Sequence, residues 1–257
     1  MGLLVERSEG ILAITLNRPE VLNAIDPETR AELRQVMQEF RSDSKLRVAL
    51  LTGAGDRGFC TGSDLKKTFP GTDSFASEYF GGGEPPFSSL LDVPKPIVCA
   101  INGVAMGGGL ELALACDIRI AVEGARFALP EVRIGSIPGG GGTQRLLQAM
   151  PRAVAMKLLL TGEAITAEEA LRWGLVSDLV PRSELMPLAW RLSRTIAANA
   201  PLSVGAVKVA ARASSDLPLD WGLAVEQLAF GALRDTEDRL EGRKAFTEKR
   251  PPVFRGR

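Results

Sequence analysis

Two glutamates, Glu111 and Glu131, each lie in a largely apolar stretch next to a cluster of glycines. The run from Asn102 to Asp117 has Asn-Gly at its start, a Gly107-Gly108-Gly109 triplet in its middle and Glu111 just beyond. The second run carries Glu131 between Pro130 and Val132 and ends in the four glycines Gly139–Gly142 before Thr143 and Gln144. The triplet stands where a helix is expected to start, at about Gly108. Glycine there permits positive φ and lets the backbone pass close to a ligand. The N–H groups of a helix's first turn have no partner within the helix and can face an anion or a polarised carbonyl. A carboxylate one turn into such a helix, with a second in the adjoining loop, would hold a water beside an activated carbonyl. Each acid also has a plainer reading. Glu111 suits a first helical turn through the helix dipole, and Glu131 would serve as an ordinary surface loop acid. Four glycines at 139–142 amount to a tight turn and a helix entry.

Composition narrows the chemistry. The 257 residues contain no histidine, which excludes Ser-His-Asp and Cys-His mechanisms and histidine-ligated metals. Lys plus Arg and Asp plus Glu both total 31, so the chain has no net charge and none of the basic excess of a dedicated nucleic-acid or anionic-membrane binder. Cys60, Cys99 and Cys116 are odd in number and lack ligand spacing; reduced, buried thiols are expected. Neither a signal peptide nor a membrane span is expected, and the expected location is cytoplasmic, because the longest apolar stretch is broken by Asn102, glycines and Glu111.

Stepping outward from the acids, Leu3–Arg7 and Ile11–Leu16 alternate as a strand hairpin. Asp26-Pro27-Glu28 opens a helix, with an N-cap acid, proline at the first position and acid in the first turn. Leu33, Val36, Met37 and Phe40 give that helix an apolar face. Strands are expected at Arg47–Thr52, Pro96–Ile101, Asp117–Val122, Arg126–Leu129 and Leu175–Val180. Gly53 to Gly58 matches the dinucleotide-binding pattern G-x-G-x-x-G, but no helix follows and the match reads as chance. Residues 67–92 form an expected surface excursion whose aromatics either cover a pocket or pack the loop down. Thr166 to Glu169 is a capping box, and Gly174 ends that short helix. Beyond Arg182 the pattern is helical, at about 183–198, 202–213, 219–233 and 236–247. The division expected is an α/β part over 1–197 and a helical region over 198–257. Strand–strand–helix units recur along the first part.

Several stretches together resemble the enoyl-CoA hydratase/isomerase, or crotonase, superfamily. They are Asn17–Ile25, Phe59–Lys66, Lys95–Asp117, Phe127–Arg145, Leu160–Glu163, Ala170–Val176 and Glu241–Arg250, in order over nearly the whole chain. The resemblance implies a crotonase-type spiral of ββα turns in an α/β fold, with a C-terminal helical region that builds trimers or dimers of trimers. It implies an acyl-CoA thioester as substrate, with coenzyme A part of that substrate and no separate cofactor or metal, and a homo-oligomeric assembly. By the same resemblance the backbone N–H groups of Ser63 and Gly108 form an oxyanion hole, Glu111 activates a water, and Glu131 delivers a proton to carbon 2. Arg18, Leu22, Ala24, Asp64, Leu65 and Lys66 are matched to family positions near coenzyme A, and Phe246 and Lys249 to C-terminal residues that reach it, sometimes from a neighbouring subunit. The implied reaction is reversible syn hydration of a 2-trans-enoyl-CoA. Other crotonase-fold reactions stand as alternatives: isomerisation, decarboxylation, or dehydration of an unusual hydroxyacyl-CoA. A non-enzymatic RNA-binding role is more remote, since Lys66-Lys67 and Lys249-Arg250 are only scattered pairs.

Overall fold

The computed structural model describes residues 1–67 and 87–257. The expected excursion over 67–92 therefore lies mostly outside the described residues; its end, Phe87–Leu91, is a 3-10 turn. The strands among the described residues are β1 (Leu3–Ser8), β2 (Ile11–Leu16), β3 (Val48–Gly53), β4 (Gly58–Cys60), β5 (Ile97–Ile101), β6 (Val104–Met106), β7 (Ile118–Val122), β8 (Arg126–Ala128), β9 (Ile165–Thr166) and β10 (Asp178–Val180). The helices begin with α1 (Pro27–Ser42), α2 (Gly108–Leu114), α3 (Gly142–Ala149), α4 (Arg152–Thr161) and α5 (Ala167–Arg172). They continue with α6 (Arg182–Ala198), α7 (Pro201–Asp216), α8 (Leu219–Ala232) and α9 (Glu237–Glu248).

Strands are dealt alternately into two sheets. The larger has order β1-β2-β3-β5-β7-β10 and the smaller β4-β6-β8-β9. Thus β3 feeds β4, β5 feeds β6 and β7 feeds β8, each pair one turn of a spiral. Apart from the β1–β2 hairpin and the β8–β9 pair, neighbouring strands run parallel. A parallel sheet is covered on both faces, and every residue of β3 and β5 is buried accordingly. The core continues through Leu33, Met37 and Phe40 of α1, which share one helical face. Asp26 caps that helix as expected, its Oδ1 accepting from Thr29 N at 3.0 Å. Both halves of the Thr166–Glu169 capping box are made.

The G-x-G-x-x-G stretch enters strand β4 with no helix after it, as expected, and a Cβ on Gly58 would press on Leu22 at 3.2 Å, so that glycine serves packing. Two local expectations change. Of the strand expected at Leu175–Val180 only Asp178–Val180 forms, because Leu175 N donates to Ala170 O at the end of α5 (2.8 Å) rather than to a ladder. Helix α4 has no counterpart among the expected elements. Ala155, Leu158 and Leu159 are buried while Leu160 is exposed, so its apolar residues ring the helix and leave no stripe to read.

The C-terminal region expected from residue 198 comprises α7, α8 and α9. Arg47 at the entry to β3 ties it to the spiral, donating to Ala197 O at 2.9 Å and to Phe254 O at 2.6 Å. Helix α8 buries none of its residues.

Candidate active site

The centre of the site is Gly107, between β6 and α2. Its φ of +54° is one that L side chains resist, and its N–H donates to Ala128 O at 3.0 Å, anchoring the turn to β8. Its carbonyl accepts from Glu111 N at 3.1 Å, which starts α2. A Cβ placed on it would meet Glu131 Oε1 at 3.4 Å. One residue therefore starts the helix that carries Glu111 and lies beside the carboxyl of Glu131.

The start of α2 packs tightly against the segment after β4. A Cβ on Gly62 would come within 2.6 Å of Gly108 N, and one on Gly109 would run into the Cys60 carbonyl. Only glycines let the start of α2 lie this close to Cys60 and Gly62. The conformation of Ser63 is fixed from its other side by a parallel bridge to Ile25. Ile25 N donates to Gly62 O at 2.7 Å, and Asp64 N donates to Ile25 O at 2.9 Å. These bonds use the groups flanking Ser63 and leave its own N–H aimed away from Ile25. Gly108, as the first residue of α2, has no helical acceptor for its N–H. The structure thus places Gly108 N against Gly62, the residue before Ser63.

Glu111 is 4 % exposed and is held from a distance along the chain. Its Oε1 accepts from Gly140 N at 2.6 Å and from Gly142 N at 2.8 Å. This corrects the view of Gly139–Gly142 as a turn and helix entry alone: the second glycine cluster is the cradle of the first glutamate. Glu111 is buried in α2 beside buried Leu110, Leu112 and Ala113, in keeping with its apolar setting, and two oriented amides face its carboxyl. Gly142 must be a glycine, since a Cβ there would lie 3.0 Å from Glu111 Oε1 and 2.8 Å from Pro138 Cβ. Arg145 secures the loop by donating to Gly140 O at 2.8 Å. These amides were missed in the sequence because nothing local ties them to an acid 29 and 31 residues earlier.

Glu131 opens a 3-10 turn, Glu131–Ile134, instead of sitting in irregular loop. Its Oε2 is buried with no hydrogen-bond partner among the described residues. Burial pushes its carboxyl pKa up, and the charge of Glu111 adds to the rise. The two acids are therefore differently equipped, one clasped by donors and the other poorly solvated. Such a division suits one carboxylate that orients a water and one that exchanges a proton.

Around the Ile25–Ser63 bridge the structure gathers Arg18, Leu22, Ala24, Asp64, Leu65 and Lys66. Leu65 is 69 % exposed and Lys66 is exposed, while Ala24 is buried. Arg18 donates to Asp64 Oδ2 at 2.9 Å, which holds the Asp64 carboxyl below its usual range. Phe246 and Lys249 sit elsewhere, at the end of α9. Phe246 lines a surface groove of about 750 Å³ with Phe230, Leu233 and Phe254. Cys60, Cys99 and Cys116 are buried and unbridged, and burial pushes the Cys60 thiol up to about 12, away from nucleophilic use. Among the described residues no group of His, Cys, Asp or Glu could hold a metal ion, and no helix is long and apolar enough to cross a membrane.

The pattern describing the enoyl-CoA hydratase/isomerase family matches residues 6–257. The chain belongs to that family. It is 52% identical over 256 residues to (E)-benzylidenesuccinyl-CoA hydratase of Thauera aromatica, with all of both chains covered. It is 41% identical over 262 residues to a carnitinyl-CoA dehydratase of Salmonella enteritidis, covering 100% of this chain and 99% of the other. Among solved structures, an enoyl-CoA hydratase from Bacillus anthracis superposes with a TM-score of 0.90 at 35% identity, each chain fully covered. An enoyl-CoA hydratase from Mycobacterium tuberculosis gives 0.89 at 36% identity, covering 100% of this chain and 99% of that one. The alternation of strands between two sheets is the crotonase fold of this family.

Proposed function

We propose that the protein is a hydro-lyase acting on 2-enoyl-CoA thioesters, adding water reversibly and syn across the double bond to give a 3-hydroxyacyl-CoA. The observation that carries this reading is the convergence at Gly107. Two carboxylates of unequal character flank a turn where Gly108 N packs against Gly62, the residue before Ser63, which supports the backbone N–H groups of Ser63 and Gly108 as a donor pair.

In this reading the thioester oxygen accepts from both N–H groups. Water attack at carbon 3 pushes electrons toward that oxygen, and preorganised donors stabilise the enolate as its charge develops, a contribution of about 3 kcal/mol per donor. Glu111, fixed through Oε1, has Oε2 left to orient and deprotonate the attacking water. Glu131, with its pKa raised by burial, carries the proton delivered to carbon 2. The atoms balance: the water supplies hydroxide to carbon 3, Glu111 takes its proton, and Glu131 gives one to carbon 2. A proton passed between the neighbouring acids or through solvent resets the pair. Leu65 and Lys66 are open to the pantetheine arm and phosphates of coenzyme A. The unburied face of α8, with Trp221, Leu223, Leu228 and Phe230 exposed, fits a homo-oligomer, a trimer or pair of trimers, in which Phe246 and Lys249 reach the coenzyme A of a neighbour.

The similarity to proteins named for benzylidenesuccinyl-CoA and carnitinyl-CoA favours a second, narrower version, a hydratase or dehydratase for a substituted acyl group. A panel of crotonyl-CoA, (E)-benzylidenesuccinyl-CoA and carnitinyl-CoA separates the two, with products identified by mass spectrometry. Gain or loss of one water from at least one member supports the proposal. Double-bond migration or carbon dioxide release, without hydration of any member, would replace it with another crotonase-fold reaction.

A further inference from the structure

We infer that Arg18 is a positioning residue that sets the direction of the Ser63 N–H, and that it does not bind the nucleotide of coenzyme A. The inference rests on the thioester reading above. The Arg18 side chain is only 14% exposed, and its donors point inward. Nη1 donates to Ala24 O at 2.6 Å and Nη2 to Asp64 Oδ2 at 2.9 Å. Nη1 also lies 3.4 Å from Asp26 Oδ2, which Lys67 Nζ reaches from the other side at 2.7 Å.

The two residues that Arg18 grips flank the bridge that fixes Ser63. Ala24 precedes Ile25, and Asp64 follows Ser63. One planar guanidinium thus spans the two segments, which the Ile25 backbone bonds and the Asp26–Lys67 pair also tie together at this point. The first segment needs such a tie. Leu22 and Asn23 are consecutive non-glycine residues with φ of +53° and +58°, a conformation that side chains resist. Arg18 N holds that turn as well, donating to Asn23 Oδ1 at 2.9 Å, while Asn23 Nδ2 donates to Ala54 O and Gly58 O. Loosening Arg18 would free Asp64 and tilt the Ser63 peptide, taking one donor off the thioester oxygen. A small displacement suffices, because a hydrogen bond weakens steeply once its angle falls.

The test uses a thioester whose colour reports carbonyl polarisation, 4-(dimethylamino)cinnamoyl-CoA, together with its pantetheine analogue that lacks the nucleotide. The unmodified protein should shift the absorbance of both to the red. In Arg18→Ala the red shift at saturation should fall by at least half for both probes. Turnover of the best substrate of the panel should drop about 10- to 100-fold in kcat, the scale of a donor lost or misplaced by an ångström. Asp64→Ala, which removes the acceptor of Arg18 beside Ser63 while leaving the arginine in place, should lose the shift in the same way, and Arg18→Lys should restore part of it. These two variants decide the matter if Arg18→Ala does not fold. A full red shift at saturation in the variants, with weakened binding of the coenzyme A probe alone, would overturn the inference and make Arg18 a nucleotide contact. No red shift in the unmodified protein would overturn the thioester reading itself, and the inference with it.

Discussion

Glu131 ionises at a cost to the fold. Its Oε2 is buried with no donor among the described residues, and burial together with the Glu111 charge lifts its pKa above the ordinary 4.5. A raised folded-state pKa contributes stability below the unfolded value, and that stability is lost as pH rises through the folded value. Glu131→Gln should therefore change the Tm little near pH 4 and raise it by roughly 2 °C at pH 8. A gain of equal size at both pH values, or a loss at pH 8, would refute this account of the carboxyl. A carbon-13 titration of the Glu131 carboxyl makes the same point directly: its midpoint should lie above 4.5 and should move down in Glu111→Gln. The apolar setting of Glu131 was legible in the residues on either side of it. The two donors to Glu111 were not legible, because its side chain answers to Gly140 and Gly142, which only the folded chain brings within 2.8 Å.

At the scale of elements, the site consists of close approaches that only glycine permits. Gly62 has φ of +85°, and a Cβ there would reach Gly108 N at 2.6 Å. Gly62→Ala should remove a large part of catalysis, roughly 100-fold in kcat, because the methyl occupies the place of the thioester oxygen's donor. Gly142→Ala would instead press on Glu111 Oε1 and Pro138, so it should weaken kcat by a similar factor while leaving carbonyl polarisation of a bound thioester intact. If both variants lose polarisation together, the two glycine clusters are not separate devices. Elements with a chemical signature at their ends were readable beforehand: α1 from Asp26-Pro27, α5 from its capping box, α2 from the glycine triplet. β6 and α4 were not, because a three-residue strand has no period to detect and α4 has apolar residues on all sides.

For the whole molecule, motifs in family order made the spiral legible, whereas which strand lies beside which became plain only in three dimensions. The pairing of β2 with β3, for example, joins Ile11 to Val48 across the whole of α1. The C-terminal helices are the least self-sufficient part, with Trp221 68% exposed and Phe246 87% exposed. In the proposed oligomer this exposed apolar surface is what meets a neighbouring chain. Light scattering should give three or six chain masses, and Trp221→Glu should shift the population toward smaller species; a monodisperse monomer would refute the oligomer. The central claim is that Glu111 and Glu131 act as one unit on a thioester, and single and double variants test it most directly. Glu111→Gln and Glu131→Gln should each lower kcat of hydration by at least about 1,000-fold, and the double variant should be no worse than the weaker of the two, since groups that act together are not additive. Substantial hydration by either single variant, or losses that multiply in the double, would contradict the account.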